Sequence, residues 1–342
     1  MSFSSSAPDP LLFREELGFT IDPAEEGTRL DTYLARRMRW RSRTSIQKLV
    51  QEGLISITRQ GERRVVKKSS SVLIAADEIA VTLPRPKRDI DFGEAGPPSD
   101  PNLPILYEDR WLVAVDKPPN VPVHPAGRNL YRTVITTLHR RYRRPDDPTH
   151  DIVPKLCHRI DLETSGVLLV AKDDRAHRDV QRLFRDRATE KEYLAVVHGI
   201  PEPREGFIEK PLGPALGMKV AMASGVRWDV GLEAKTEYRV ESVHGDFSIL
   251  RIRLHTGRHH QIRVHFSSIR HPLVGDKIYG GDEELFLKYY DDALTAEDHD
   301  RLLLPRQALH STRLALDHPI TGERLVIESP LPEDLREFLD RQ

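Results

Sequence analysis

Residues 167–171 read Val-Leu-Leu-Val-Ala, a wholly apolar run that fits a buried strand. Such a strand forces the chain to build a sheet covered by other layers. The residues just ahead of it are of the opposite kind. His158-Arg159-Ile160-Asp161-Leu162-Glu163 leads into a Thr164-Ser165-Gly166 turn, which suits a tight change of direction that orients Asp161. An acid beside a fixed cation at the edge of a buried strand suits chemistry better than packing. With 155–160 extended, alternate side chains share a face, so Cys157, Arg159 and Asp161 should point together.

Periodicity around this centre predicts strands at 111–116, 155–160, 166–171, 189–198, 232–242, 247–255 and 309–316, and helices at 132–143, 173–186, 258–269 and 333–340. The strands are not spaced as regular βαβ units. The expected class is therefore α+β: a mixed, largely antiparallel sheet with flanking helices over 105–342, plus a small α/β module at 27–84. Residues 1–26 read as a tail with one short strand near Leu17 to Ile21. Residues 85–104, rich in proline, read as a semi-stiff linker. In the small module Leu30, Tyr33, Leu34 and Met38 form a helical stripe. Ser42 is a candidate N-cap for a second helix, and Gly53 suits its end. No internal repeat is seen.

The net charge of −1 conceals a strong asymmetry. Between Arg29 and Arg88 there are 15 Lys/Arg against 5 Asp/Glu, whereas 282–300 holds 8 acids against 1 lysine. A basic module on a neutral chain is the pattern expected for binding a polyanion. The acidic stretch reads as an insertion that should lie away from any anionic ligand. Cys157 is the sole cysteine, so no intrachain disulfide is possible and a reducing compartment fits. No signal peptide and no apolar run long enough to span a bilayer is seen, which makes the cytoplasm the expected location.

Four segments in order resemble the RluA-type family of RNA pseudouridine synthases: Val115-Asp116-Lys117-Pro118-Pro119-Asn120-Val121-Pro122-Val123-His124-Pro125; the Asp161 run; Lys191-Glu192-Tyr193-Leu194-Ala195-Val196-Val197-His198-Gly199; and Thr256-Gly257-Arg258-His259-His260-Gln261-Ile262-Arg263-Val264-His265. Weaker matches follow at 272–276, 307–310 and 329–332. The resemblance implies isomerisation of uridine to pseudouridine, with RNA as partner and no cofactor or metal. It assigns Asp161 as nucleophile, Arg263 as the cation that keeps it ionised, and Tyr193 as the residue packing on the uracil and serving as a base for carbon 5. Whether Asp161 attacks the ribose or the ring, or assists a glycal route, stays open. Arg159 is implied to fill the gap left by the flipped uridine or to meet a phosphate; an ion pair to Asp161 is the alternative. Lys117, His124, Thr164 and His260 are expected around the substrate.

The small module resembles the RNA-binding domain named after ribosomal protein S four, which makes Arg36, Arg37, Arg41, Arg43 and Lys48 candidate RNA contacts. Large-subunit ribosomal RNA is the first expected target and transfer RNA the second. Departures from the family occur at Asn120, usually glycine, at Leu162, often basic, and at His259, frequently threonine. Asparagine tolerates positive φ, so the turn at 120 can survive.

Rival readings are weaker. Cys157 and His158 are adjacent and face apart in a regular strand, which disfavours a Cys-His dyad. His255, His259, His260 and His265 lack metal-ligand spacing. A glycosidase would need a second carboxylate at fixed separation, and Glu163 lies too close in sequence. A non-catalytic RNA-binding or ribosome-assembly protein on the same fold explains the basic module but has no need of Asp161, Tyr193 and Arg263 together.

Overall fold

The computed structural model describes residues 16–38, 43–82, 102–125, 132–144, 147, 150–220 and 222–342. They fall into two units, one within residues 1–100 that takes in 124–137, the other within 101–123 and 138–342.

In the first unit, β1 (Glu16–Thr20), α1 (Leu30–Arg37), α2 (Arg43–Gln51), β2 (Ile55–Arg59), β3 (Glu62–Val65) and β4 (Glu78–Thr82) follow one another. The sheet order is β1-β4-β2-β3, antiparallel throughout. Because β1 pairs along its length with β4, the small sheet begins ahead of the boundary drawn at residue 27. The helical stripe does what its spacing predicts: Leu30, Tyr33, Leu34 and Met38 are buried with Ile46, Leu49, Ile55, Leu73 and Val81. Gly53, at φ +70°, turns the chain out of α2. The expected N-cap Ser42 and most of the proline-rich stretch lie outside the described residues.

The second unit is built on a ten-stranded sheet. Its elements are β5 (Ile105–Glu108), β6 (Leu112–Lys117), α3 (Val134–Tyr142, which begins in the first unit), β7 (Lys155–Leu156), β8 (Ser165–Ala171), α4 (Asp174–Arg185), β9 (Glu190–His198), β10 (Glu205–Glu209), β11 (Leu212–Pro214), β12 (Ser224–Val226), β13 (Lys235–His244), β14 (Phe247–Leu254), α5 (Gln261–Ser268), α6 (Glu284–Tyr290), α7 (Ala296–Leu302), β15 (Leu309–Asp317), β16 (Arg324–Glu328) and α8 (Glu333–Asp340). The order is β10-β13-β14-β9-β15-β8-β6-β5, with β16 on β15 and β7 on β8; β11 and β12 form a separate hairpin. Among the described residues only β15 and β8 run parallel, so the sheet is mixed and largely antiparallel as expected.

All seven residues of β8 are buried. Ala176 and Val180 of α4 cover Val167, Leu169 and Ala171 on one face. Each such valine or leucine contributes about 1.5–3 kcal/mol by leaving water. β8 is thereby fixed at the centre of the sheet, beside β15, which in turn lies beside β9. The residues entering β8 and those along β9 and β15 thus share one neighbourhood.

Two expectations need correction. The strand over 155–160 ends at Leu156. Beyond it the Leu169 N–H donates to the side chain of His158, Nε2, at 2.9 Å. A ring thus takes the place of the next backbone acceptor, and the chain leaves the sheet. Cys157, Arg159 and Asp161 therefore do not share a face: Cys157 is buried, Arg159 exposed and Asp161 half-buried. The acidic insertion folds as α6 and α7, and it is not remote from the motif. The ring of Tyr289 lies under Lys277 Nζ at 4.7 Å, and Lys277 pairs with Glu163.

Candidate active site

Asp161 sits in the turn that enters β8, and its side chain is 25% exposed. Arg263, on the first turn of α5, donates from Nη1 to Asp161 Oδ2 at 3.0 Å. The same guanidinium donates through Nε and Nη2 to both oxygens of Asp276, at 2.7 and 2.9 Å. One buried cation therefore serves two carboxylates. Burial alone would raise the pKa of Asp161. Arg263, His260 and a weaker bond from Gln307 Nε2 at 3.4 Å outweigh it and hold the acid below its ordinary value. Asp276 is held low against burial by the same Arg263, aided by the N–H groups of Ile278 and Tyr279 at 3.0 Å. The site thus presents an ionised carboxylate in a nearly dry surrounding.

Tyr193 of β9 is 7% exposed. Its phenol is pushed up to about 12, first by burial and also by the charge of Asp161, against a hydrogen bond to Ser311 on the paired strand β15. The hydroxyl is neutral near pH 7. Ser311 of β15 pairs with Tyr193 on one side and with Gly166 on the other, so the strand carrying Tyr193 lies one strand away from β8, into which the Asp161 turn held by Arg263 leads.

The turn carrying Asp161 is held from beneath. Lys117, fully buried at the end of β6, donates from Nζ to the carbonyls of Pro118, Val121 and Leu162, each at 2.9 Å. Burial, with Arg306 nearby, pulls its pKa down to about 7, while three carbonyl acceptors favour the ammonium with its three donors. Thr164 Oγ1 accepts from Gln307 Nε2 at 2.8 Å, and Glu163 takes Lys277 Nζ at 2.7 Å and the Gln307 N–H at 3.0 Å. Gly166, at φ +104°, lies so close to β15 that a Cβ would sit 2.2 Å from the Ser311 carbonyl oxygen. The Thr-Ser-Gly sequence therefore ends in the one residue type this approach allows. Lys117 and Thr164, expected near substrate, have their polar atoms engaged inside the protein, where they hold the Asp161 turn.

A histidine stack lines the other side. His260 takes a left-handed conformation, φ +56°, just before α5. Its Nδ1 lies 2.8 Å from the Tyr279 hydroxyl, which also accepts the Ser224 N–H at 2.8 Å. Its Nε2 lies 4.0 Å from Asp161 Oδ2. Burial and then Arg263 lower its pKa to about 3, so the ring is neutral. His259, exposed, stacks on it with centroids 3.7 Å apart at 25° and places Nδ1 3.1 Å from Ser224 Oγ. Arg263 Cζ lies 5.0 Å over the Tyr279 ring.

Arg159 is exposed and makes no hydrogen bond or ion pair with another described residue, so the alternative of a pair with Asp161 does not hold. Its charge is nonetheless felt by His259. His124 is half-buried in the loop after β6, just before residues 126–131, which lie outside those described. In the small unit Arg36, Arg37, Arg43 and Lys48 are exposed, and Arg41 lies outside the described residues. Arg37 pairs with Glu25 and Arg43 with the buried Asp31, both at 3.0 Å, while each arginine stays about half exposed. Asn120 adopts φ +62°, the turn its side chain tolerates. Cys157 is raised to about 12 by burial and is inert. His255 pairs with Glu237, and His265 is buried against Thr236 and Lys210.

Sequence reasoning gave no role to Asp276, Gln307, Lys277 or Tyr279. A signal for Asp276 was present. Arg263 stands between the apolar Ile262 and Val264 on a helix whose Gln261–Phe266 are all buried, so it requires a counter-charge, and Asp276 is the next acid along the chain. Gln307 and Lys277 carry no such signal.

Residues 111–268 match the family model of the RNA pseudouridylate synthases. An uncharacterized RNA pseudouridine synthase of Bacillus subtilis is 32% identical over 95% of this chain and 97% of its own length. The ribosomal large subunit pseudouridine synthase D of Zymomonas mobilis is 33% identical over 91% of this chain and 92% of its own. Among solved structures, the human RNA pseudouridylate synthase domain containing 4 is similar with a TM-score of 0.54 and 28% identity, over 69% of this chain and 92% of that one. The chain therefore belongs to the RluA-type RNA pseudouridine synthases, enzymes that isomerise uridine in RNA to pseudouridine.

Proposed function

We propose that the substrate is large-subunit ribosomal RNA and that Asp161 is the nucleophile. The observation that carries the second part is the ionised Asp161 carboxylate, bonded to Arg263 at 3.0 Å beside the neutral phenol of Tyr193. The first part is supported by the Zymomonas relative, whose name gives that RNA. Transfer RNA is the second candidate.

Isomerisation breaks the bond from the ribose to nitrogen 1 of uracil, joins the ribose to carbon 5, and moves the carbon 5 proton away while nitrogen 1 gains one. Uracil is a poor leaving group, so a charged carboxylate at close range is needed whether it acts at the ribose, at the ring or in a glycal route. Arg263 keeps Asp161 in that form. Tyr193 offers its ring as a wall for the uracil. To take the carbon 5 proton Tyr193 must first give up its own, and nitrogen 1, which gains a proton in the reaction, is the group that receives it. Lys117, Thr164, Glu163 and Gln307 hold the turn, and Arg159 meets the RNA strand at the mouth.

The exposed arginines and Lys48 of the small unit act as an S-four-like RNA-binding module that positions the enzyme through phosphates without reading bases. Mapping pseudouridines in ribosomal and transfer RNA from cells with and without this protein tests the target. A large-subunit position lost with the protein is expected; loss confined to transfer RNA would move the assignment there.

A further inference from the structure

We propose that the ring of His259 is a stacking platform for the nucleotide adjacent to the reacting uridine. The proposal rests on the reading of Asp161 as the reaction centre. An exposed histidine is ordinarily free to turn, but this one is held twice. Ser224 Oγ lies 3.1 Å from its Nδ1, and the ring of His260 lies against it at 3.7 Å. His260 is fixed in turn by Tyr279 at 2.8 Å and directs Nε2 toward Asp161 at 4.0 Å. The column of rings thus starts beside the carboxylate and ends in solvent. Arg159, two residues before Asp161 in the chain, is exposed and has no ion pair among the described residues.

These features meet a specific need of the substrate. A uridine that reaches Asp161 must leave its base stack, and its neighbour in the strand then loses a stacking partner. A rigid aromatic face at the mouth replaces that partner, and a ring already held in place loses little freedom on binding. Burial, Arg263 and Arg159 keep the pKa of His259 below the ordinary histidine value despite Asp161, so the platform acts as a neutral surface. The contact should favour binding of any base and leave the salt dependence to the arginines and lysines.

The test uses the full chain and unmodified transcripts of large-subunit ribosomal RNA, with turnover and binding measured separately. His259→Ala is expected to raise KM and Kd by roughly 5- to 100-fold, the range for one base–aromatic stack, while kcat falls less than about threefold. His259→Phe keeps a flat ring and is expected to stay within a few fold of the parent. An abasic nucleotide beside the reacting uridine should lower the parent to the level of His259→Ala and leave that variant little changed. Unchanged KM and Kd in His259→Ala, equal damage in Ala and Phe, or a defect that disappears at high salt as for a phosphate contact would overturn the proposal. Lack of turnover by the parent enzyme would count against the proposed target, and the Kd comparison would still decide the platform.

Discussion

At the scale of single residues the site depends on how one buried guanidinium is shared. Arg263 spans Asp161 and Asp276, and removing it would leave Asp276 fully buried without a counter-charge, at a cost of about 3–5 kcal/mol, and Asp161 half-buried without its cation. Arg263→Lys is the gentler probe, because it keeps a charge but loses the planar fork that serves both acids. The direction of its pH effect follows from the shift on Asp161. The acid is active when ionised, above its pKa, and Arg263 lowers that pKa against the opposing push of burial. With the cation displaced, burial gains weight and the pKa rises. The acidic limb of the kcat/KM profile should then move to higher pH. An acidic limb at the parental position would contradict the role given to Arg263. Asp161, Tyr193 and Arg263 are all legible in the sequence, because each sits in a distinctive run. Asp276 is only half-legible: the need for a counter-ion can be read from the apolar neighbours of Arg263 and Asp276 is the next acid along the chain, but the bidentate pair forms only in the fold.

At the scale of elements, the Asp161 turn is fixed by what lies under it. Lys117 gathers three backbone carbonyls, and a methionine there would leave them without donors, each at about 1–3 kcal/mol if water does not enter. Lys117→Met is therefore expected to lower stability by at least about 2 kcal/mol in urea unfolding and to reduce kcat, with the salt dependence of RNA binding unchanged. A flatter salt slope would instead make Lys117 an RNA contact. Gly166→Ala tests the approach of β8 to β15. A methyl group 2.2 Å from the Ser311 carbonyl forces the two strands apart, and the positive φ adds strain of about 1–3 kcal/mol. A fall in stability together with a fall in kcat is expected; parental values of both would mean that the turn tolerates displacement. Periodicity locates β6, β8, β9, β14, α4 and α8 within a few residues, since each buries a regular face. It overextends β7, because a histidine side chain ends the ladder there, and no residue pattern announces that exchange. It passes over the short β10, β11, β12 and β16, which hold too few residues for a period to show.

At the scale of the whole molecule, charge and chemistry are divided between regions. The basic stretch from Arg29 to Arg88 is visible in composition, and the four motif segments in family order are visible as a resemblance. The polar scaffold of Glu163, Lys277, Arg306 and Gln307 is not, since Glu163 lies more than a hundred residues ahead of the other three and meets them only in the fold. The acidic insertion is visible in composition, but its placement, with Tyr289 against Lys277, is not. Because Arg43 also neutralises the buried Asp31, charge reversal there would damage the module itself. Neutral substitution is cleaner. Replacing Arg37, Arg41, Arg43 and Lys48 by glutamine should weaken RNA binding and flatten the slope of log K against log salt by roughly one for each phosphate that is no longer neutralised. An unchanged slope would mean that these side chains do not meet RNA. The central claim, that the Asp161 carboxylate does the chemistry, is tested most directly by tritium release from carbon-5-labelled uridine in RNA. Asp161→Ala is expected to bind that RNA within a few fold of the parent and to release no tritium, whereas release at the parental rate would contradict the account.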